Sequence, residues 1–383
     1  MKEVKIGIIG LGNMGSAHAK NIIEGKVPGA KLAAVCDNDD KRLESYKDQK
    51  HFSCGEEMIK SGEIDAVIIA TPHYSHTTLG IIALEAGVHT LVEKPISVHK
   101  ADCERLIAAH TNKDVVFAAM FNQRTDPRYI KLRELITSGQ LGKINRVNWI
   151  ITDWFRTAQY YASGGWRATW GGEGGGVLLN QCPHQLDLLQ WLFGMPVEVR
   201  SYCQIGRFHD IEVEDDVTTY LKYENGATGV FITTTGEAPG TNRLEVAAEQ
   251  GKVIIEGEGI KWTRNEKQST EFSNETDQGF AKPSTWEISI PTQGFGEQHI
   301  GIMKNFVDAI LNGAELIAPA AEGINSVELA NSMLYSSFTD TTLKLPLDGE
   351  AYEAHLKKLI AESTHVKEVK ETGPANLAGT YGN

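Results

Sequence analysis

The apolar residues of this chain fall into two rhythms. From Val4 to about Asn122 they come as short unbroken runs: "VKIGIIG", "KLAAVCD", "DAVIIAT", "HTLVEKP" and "VVFAAMFN". Between them lie stretches with helical spacing, "SAHAKNIIEG", "EEMIKSGEI", "SHTTLGIIALEAGV" and "KADCERLIAAHT". An unbroken β-branched run suits a strand buried on both faces, and strands alternating with helices of this size predict βαβ units in a doubly wound parallel sheet. From about Ile144 the rhythm becomes an alternation. "INRVNWIITDW" puts Val147, Trp149 and Ile151 on one face, and "VTTYLKYENGATGVFITTTG" predicts two strands around Asn225-Gly226. "RLEVAAEQGKVIIEG" and "STWEISIP" continue it. A period of two marks strands with one buried face, and Asn-Gly between two such runs marks a hairpin.

Helical spacing returns in "PRYIKLRELITSG", in the residues after Pro183, near 300–312, and through Ile324, Val327, Asn331, Leu334 and Phe338. "GGGVLL" reads as a strand that leads into the Pro183 helix. The fold class expected is therefore α/β: an N-terminal Rossmann domain over residues 1–123, then an α+β domain with a large, mainly antiparallel open sheet over 124–348. Residues 349–383 are expected to form a C-terminal helix and a mobile tail, since "ETGPANLAGTYGN" is small and polar.

Composition narrows the function classes. Hydrophobic residues at 41% and charged residues at 23% of 383 describe a soluble globular protein of two ordinary domains. The net charge of −13 argues against a nucleic-acid surface. No apolar run approaches the roughly 20 residues that span a bilayer, and glycines interrupt the N-terminal run, which reads as a first strand and not a signal peptide. The five cysteines are scattered without a C-x-x-C pair, which suits a cytoplasmic location and disfavours disulfides or a structural metal site.

The strand ends carry the candidate chemistry. "GLGNMG" (Gly10, Leu11, Gly12, Asn13, Met14, Gly15) follows a strand and opens a helix. Its glycines serve a tight turn, close approach to a pyrophosphate, and close helix–strand contact. Asp37 ends the next strand about 20 residues further on, where a carboxylate bonds ribose hydroxyls. That acid, followed by Asn38, predicts NAD over NADP, although Arg42 is near enough to meet a phosphate. Further strand ends hold Thr71-Pro72, Glu93-Lys94-Pro95 and Asn122 with Arg124, so that Lys94 falls at the ligand crevice. "GEGGGVLLNQCPHQLDLLQW" brings Asn180, His184 and Asp187 behind a flexible loop. There His184 is either a satisfied core histidine or a proton acceptor. Asp187, one turn on, either supports His184 or pairs with a distant cation. The loop "DWFRTAQYYASGGWRATWGG" mixes aromatics and arginines, a composition suited to sugar faces and hydroxyls, with Arg156, Tyr160, Tyr161, Trp166 and Arg167, together with Arg124 at the strand end, as candidates.

"GIIGLGNMG", "ATPHYSHTTLGIIALEAGVHTLVEKP" and "GGGVLLNQCPHQLDLLQWL" resemble the glucose–fructose oxidoreductase/inositol dehydrogenase/rhizopine catabolism (Gfo/Idh/MocA) family, over about residues 4 to 348. The resemblance implies an NAD(P)-dependent oxidoreductase acting on CH–OH groups of sugars, glycosides or cyclitols, and a homodimer or homotetramer. It assigns the E-K-P lysine to Lys94, the second-domain histidine to His184, the nicotinamide side to Thr71, Pro72 and His76, and cofactor or substrate proximity to Trp166-Arg167. Many members have Asp where this chain has Asn180, so a carboxylate base at that place is not carried over. Hydride chemistry then needs a base, for which His184 is chosen, a donor to the oxygen, Lys94, and Asn180 to orient. Two other readings stay open: NAD-dependent glycoside cleavage through transient oxidation, and a non-enzymatic nucleotide or sugar sensor.

Overall fold

The structure is a computed structural model and describes residues 3–367 and 369. Strand β1 (Val4–Ile9) is buried at five of its six positions and β4 (Ala66–Ile69) at all four, so neither has a polar face to offer water. They pair in parallel, and with β2 (Ala30–Cys36), β3 (Lys50–Phe52), β5 (His89–Val92) and β6 (Phe117–Ala119) they form a six-stranded sheet in the order β3-β2-β1-β4-β5-β6. The order reverses between β1 and β4, and in such sheets ligands lie beyond the strand ends at that reversal.

Helices Asn13–Ile23, His73–Glu85 and Lys100–Ala109 flank this sheet, as the sequence predicts. Another flanking helix comes from far along the chain. Gln298–Asn312 buries Ile302, Met303, Phe306 and Val307 in the same core as Ile6 and Ile8. The first core thus draws on residues assigned by sequence to the 124–348 domain.

The second sheet comprises β7 (Ile144–Ile151), β8 (Glu198–Ile205), β9 (Glu214–Lys222), β10 (Thr228–Thr234), β11 (Asn242–Ala248), β12 (Gly251–Glu256), β13 (Ile260–Asn265), β14 (Thr285–Ile290) and β15 (Leu343–Lys344), in the order β14-β13-β12-β11-β7-β10-β9-β8-β15. Only β7 and β10 pair in parallel. Its inner face, with Trp149, Phe231, Leu244 and Val217, closes on the helices Pro183–Phe193 and Gly323–Thr339. Its outer face carries exposed Tyr202 and Tyr220 beside the half-buried Ile150, Val230, Ile232 and Ile254. The Asn225-Gly226 hairpin forms with three residues between the bonded Tyr223 and Ala227, and Gly226 takes the positive φ of 84° that favours glycine.

One element differs from its expectation. "VLLN" is not a strand but two successive helical turns, with Asn180 N–H bonded to Gly176 O and Gln181 N–H to Val177 O. The reason is tertiary: buried Glu214 accepts the N–H groups of Gly176 and Leu178, and a Cβ on Gly176 would lie 2.0 Å from the Glu214 carbonyl oxygen. Burial draws the Glu214 carboxyl up to about 7 against those two hydrogen bonds. The helix Gly349–Glu362 forms as expected. The expected mobile tail lies outside the described residues.

Candidate active site

The glycine loop has the shape that a pyrophosphate requires. A Cβ on Gly10 would lie 2.6 Å from Ala70 O, and one on Gly15 would lie 1.8 Å from Gly10 O, so strand, turn and helix touch through bare backbone. At Gly12 the space is open: the nearest atom to a Cβ is Arg42 Nη1 at 4.0 Å. The helix Asn13–Ile23 begins there with no side-chain cap and no acid in its first turn, which leaves its positive end facing that space. Asp37 is buried at the end of β2, its Oδ2 accepting Leu11 N–H at 2.7 Å and its Oδ1 accepting Asp39 N–H at 3.0 Å. Arg42 Nη1 stands 3.4 Å from Asp37 Oδ2, and Asn38 is exposed. Further along the strand ends, Thr71 Oγ1 and Asn122 Oδ1 are buried without hydrogen-bond partners, polar atoms open to a polar group of a bound ligand. Asn122 is held through its Nδ2, which donates to Gln298 Oε1 at 2.6 Å. These features fit a dinucleotide.

Lys94 joins the two halves of the site. Its backbone N–H donates to Glu93 Oε2 at 3.1 Å, and its Nζ donates to the backbone oxygen of Asn180 at 2.8 Å. Burial lowers the Lys94 ammonium's pKa, with Arg156 and Arg167 helping and the carboxylates of Glu93 and Glu173 opposing. Burial would raise Glu93, but His18, bonded to it at 2.7 Å, wins and holds its carboxyl at about 2.

His184 lies in the first turn of the helix Pro183–Phe193, which Pro183 opens. It is buried, edge-on to Phe121 at 6.4 Å, and its Nδ1 has no hydrogen-bond partner. Burial first, then the charge of Lys94, pushes the imidazole well below the usual histidine range, so it is neutral. Asp187 gives it no support. That carboxylate is held by Arg124.

The loop residues divide by direction. Tyr160 OH donates to Asn180 Oδ1 at 3.2 Å and accepts from Arg167 Nη1 at 2.7 Å. The guanidinium of Arg167 also stacks 4.4 Å from the Tyr160 ring and 4.6 Å from that of Trp166, and Arg156 lies 5.2 Å from the Tyr160 ring. Tyr161 is a correction to the sequence expectation. The next residue on the short helix Ala158–Ala162 points about 100° away, and its hydroxyl is buried 2.8 Å from Thr235 Oγ1. Arg124 is a second correction. Only 2% exposed, it commits four of its five N–H groups to Asp187, Glu322 and Ile317 O, so its guanidinium serves the packing of the chain. His76 lies in the first turn of the helix His73–Glu85, and its ring nitrogens face backbone carbonyls, Nδ1 that of Pro95 and Nε2 that of Thr71, both at 2.8 Å, so it bridges the ends of β4 and β5.

Three residues enter the site without having been singled out. His73 lies 6.3 Å, ring to ring, from Trp166. His299, from the distant helix, is drawn down to about 4 by burial, and when protonated it lowers His184 and Glu93. Glu173 donates its charge to Lys94 and receives the side-chain amide of Asn180. An acid inside a run of glycines was the available signal for Glu173; His299 had none, because nothing near it in sequence shares its surroundings.

Two family models match the chain. One, an oxidoreductase family with an NAD-binding Rossmann fold, covers residues 4–121, and the other, the GFO/IDH/MocA C-terminal domain, covers 129–254. The chain is 28% identical to the myo-inositol 2-dehydrogenase of Thermotoga maritima, over 66% of this chain and 75% of that one. It is 26% identical to the scyllo-inositol 2-dehydrogenase (NAD(+)) of Bacillus subtilis, over 85% of this chain and 92% of that one. Among solved structures, the WlbA dehydrogenase of Chromobacterium violaceum, in complex with NADH and UDP-GlcNAcA, matches with a TM-score of 0.78 at 26% identity, over 91% of this chain and 97% of that one.

Proposed function

Because the chain belongs to the Gfo/Idh/MocA oxidoreductases and has their NAD-binding Rossmann domain, we propose that it oxidises a secondary hydroxyl of a sugar, glycoside or cyclitol. The observation that carries this reading is the 2.8 Å bond from Lys94 Nζ to Asn180 O. It ties the cofactor-side strand end to the turn before His184, so that a cation and a neutral imidazole flank the same crevice.

Bound NAD supplies the hydride acceptor. The protein's own residues manage the proton and the oxygen. His184 is the base: it is neutral, and its unpartnered Nδ1 is a buried nitrogen awaiting a donor. Lys94, one of whose three N–H groups is used on Asn180 O, donates another to the developing alkoxide. Asn180 Oδ1, Tyr160 OH, Arg167 and Arg156 bind neighbouring hydroxyls, and Trp166 packs against a ring face. Asp37 receives the ribose hydroxyls.

The test is a panel of inositols, aldoses and glucosides with NAD, followed by NADH absorbance. Turnover of at least one class is expected. A folded protein that binds NADH but turns over none would sink the reading in favour of a sensor. Aglycone released without net NADH would replace it by glycoside cleavage.

A further inference from the structure

Asn180 is flanked by charge although it carries none. Its backbone oxygen accepts Lys94 Nζ, while its side-chain Nδ2 donates to Glu173 Oε1. The amide orientation is thereby set: Oδ1 turns to Tyr160 OH and Gln181 Nε2, each at 3.2 Å, and presents an acceptor to the substrate side. Glu173 is only 1% exposed. The loop drives it inward, because Thr169 O gathers the N–H groups of Gly172, Glu173 and Gly174, and a Cβ on Gly172 would lie 1.9 Å from Trp166 O. Its Oε2 accepts Ala168 N–H at 2.5 Å, and Arg167 Nη1 lies 3.6 Å from its Oε1.

The groups that act on Lys94 come from four directions. Glu93 precedes it in the chain; Arg156 follows β7; Arg167 and Glu173 belong to the glycine loop; and His73, His76, His184 and His299 come from their helices. Of the two carboxylates, Glu93 is already bonded to His18. Glu173 faces the cations of the loop side: burial raises its carboxyl, and Arg167 and Lys367 oppose that rise.

We propose that Glu173 is the carboxylate of the substrate site, a positioning residue that acts through Asn180. It fixes the amide with Oδ1 toward the substrate, and it places beside Lys94 and Arg167 the negative charge that position 180 lacks. The proposal rests on the reading of Lys94 and Asn180 as substrate-site residues.

The test uses the full-length protein and two readouts. The first is the pH at which Lys94 is half-acetylated by a small reagent, followed by mass spectrometry. Glu173→Gln removes a charge that holds the ammonium's pKa up, so this midpoint moves to lower pH, by about half a unit or more. The second is turnover. Glu173→Gln lowers kcat by about 10- to 100-fold with KM for NAD unchanged, and Glu173→Gln with Asn180→Asp restores it to within about 10-fold, because acid and amide exchange places across one hydrogen bond. A part that merely braces the loop through Ala168 would not be rescued by that exchange. An unmoved Lys94 midpoint in Glu173→Gln, or an exchanged pair as impaired as the single variant, overturns the proposal. If the single variant does not fold, the exchanged pair is read alone: a midpoint near that of the wild type is expected, and a clear downward shift overturns the proposal. A wild-type protein that oxidises no polyol defeats the dehydrogenase reading, while the Lys94 midpoint still decides the role of Glu173.

Discussion

Arg124 and Asp187 meet through two parallel hydrogen bonds, Nε to Oδ2 at 2.7 Å and Nη2 to Oδ1 at 2.6 Å, with both side chains 1% exposed. The pair pins the start of the second domain to the His184 helix. Glu322 and Ile317 O take the remaining Nη1, so the strand-end turn, the helix and the returning chain meet at one guanidinium.

Asp187→Ala leaves that guanidinium buried with its forked acceptor gone. The expected loss of stability is about 3–5 kcal/mol, read by urea unfolding. In the folded fraction the pH dependence of kcat keeps the wild-type shape, since Asp187 bonds Arg124 and Gln190, not His184. A shifted profile would restore Asp187 as the histidine's partner.

His184→Ala is expected to lower kcat by about 10²- to 10⁴-fold while NADH binding, read by fluorescence titration, stays within a few-fold. Burial and the Lys94 charge hold the ring well below its ordinary pKa, so the acid limb due to His184 falls well under pH 6.5. A limb at or above 6.5, or an unchanged kcat in a folded variant, contradicts the assignment.

Leu11 N–H holds Asp37, the residue proposed to receive the ribose hydroxyls. NAD is expected to exceed NADP in kcat/KM, because a 2′-phosphate would meet the buried carboxylate. Asp37→Ala narrows the gap by about 10-fold, mainly by weakening NAD. Parity between the cofactors in the wild type would mean that Arg42 outweighs Asp37.

His299 is lowered to about 4 by burial, against an ordinary value of 6.5. Between those values the unfolded chain binds a proton there that the folded chain refuses. The stability it contributes is therefore fully present above pH 6.5 and is lost as pH falls toward 4. Glu214, raised to about 7, runs oppositely over part of that window, so the variant and not the whole-protein slope is informative. In His299→Gln the urea midpoint should fall less between pH 6.5 and 4 than in the wild type; an equal fall rejects this.

The outer face of the second sheet sets Tyr202, Thr218, Ile232 and Ile150 in one row across β8, β9, β10 and β7, with Tyr220 and Val230 in the next. A face this apolar on an open sheet suits self-association. Sedimentation at micromolar concentration should report a dimer or larger, and Ile232→Lys should reduce it. A monomeric wild type refutes the idea.

The sequence by itself determined the elements whose burial is local in cause. The unbroken runs of β1, β4 and β5 leave no polar face, so they read as central strands. Gly10 and Gly15 sit where any Cβ meets backbone within a few residues or at the next strand, and Asp37 ends the strand that follows. The alternation of β7, β9 and β10 likewise named the buried face before any neighbour was known. The strands β8 and β13, with polar residues at half or more of their positions, gave no comparable signal. What only the tertiary structure decided is what depends on partners far along the chain. "VLLN" has strand-like residues, yet it coils because Glu214, more than 30 positions later, takes its N–H groups. Arg124 reads as a substrate cation until Asp187, 63 residues away, takes its fork. Tyr160 and Tyr161 are the same residue type side by side, and only helical geometry turns one to Asn180 and the other to Thr235. His299 reaches the crevice because the helix that carries it returns to the first core. Periodicity reports which side of an element is apolar; it does not report which charge will stand opposite a polar group, and that pairing made Glu173, which bonds Asn180, a second acid bearing on Lys94 besides Glu93.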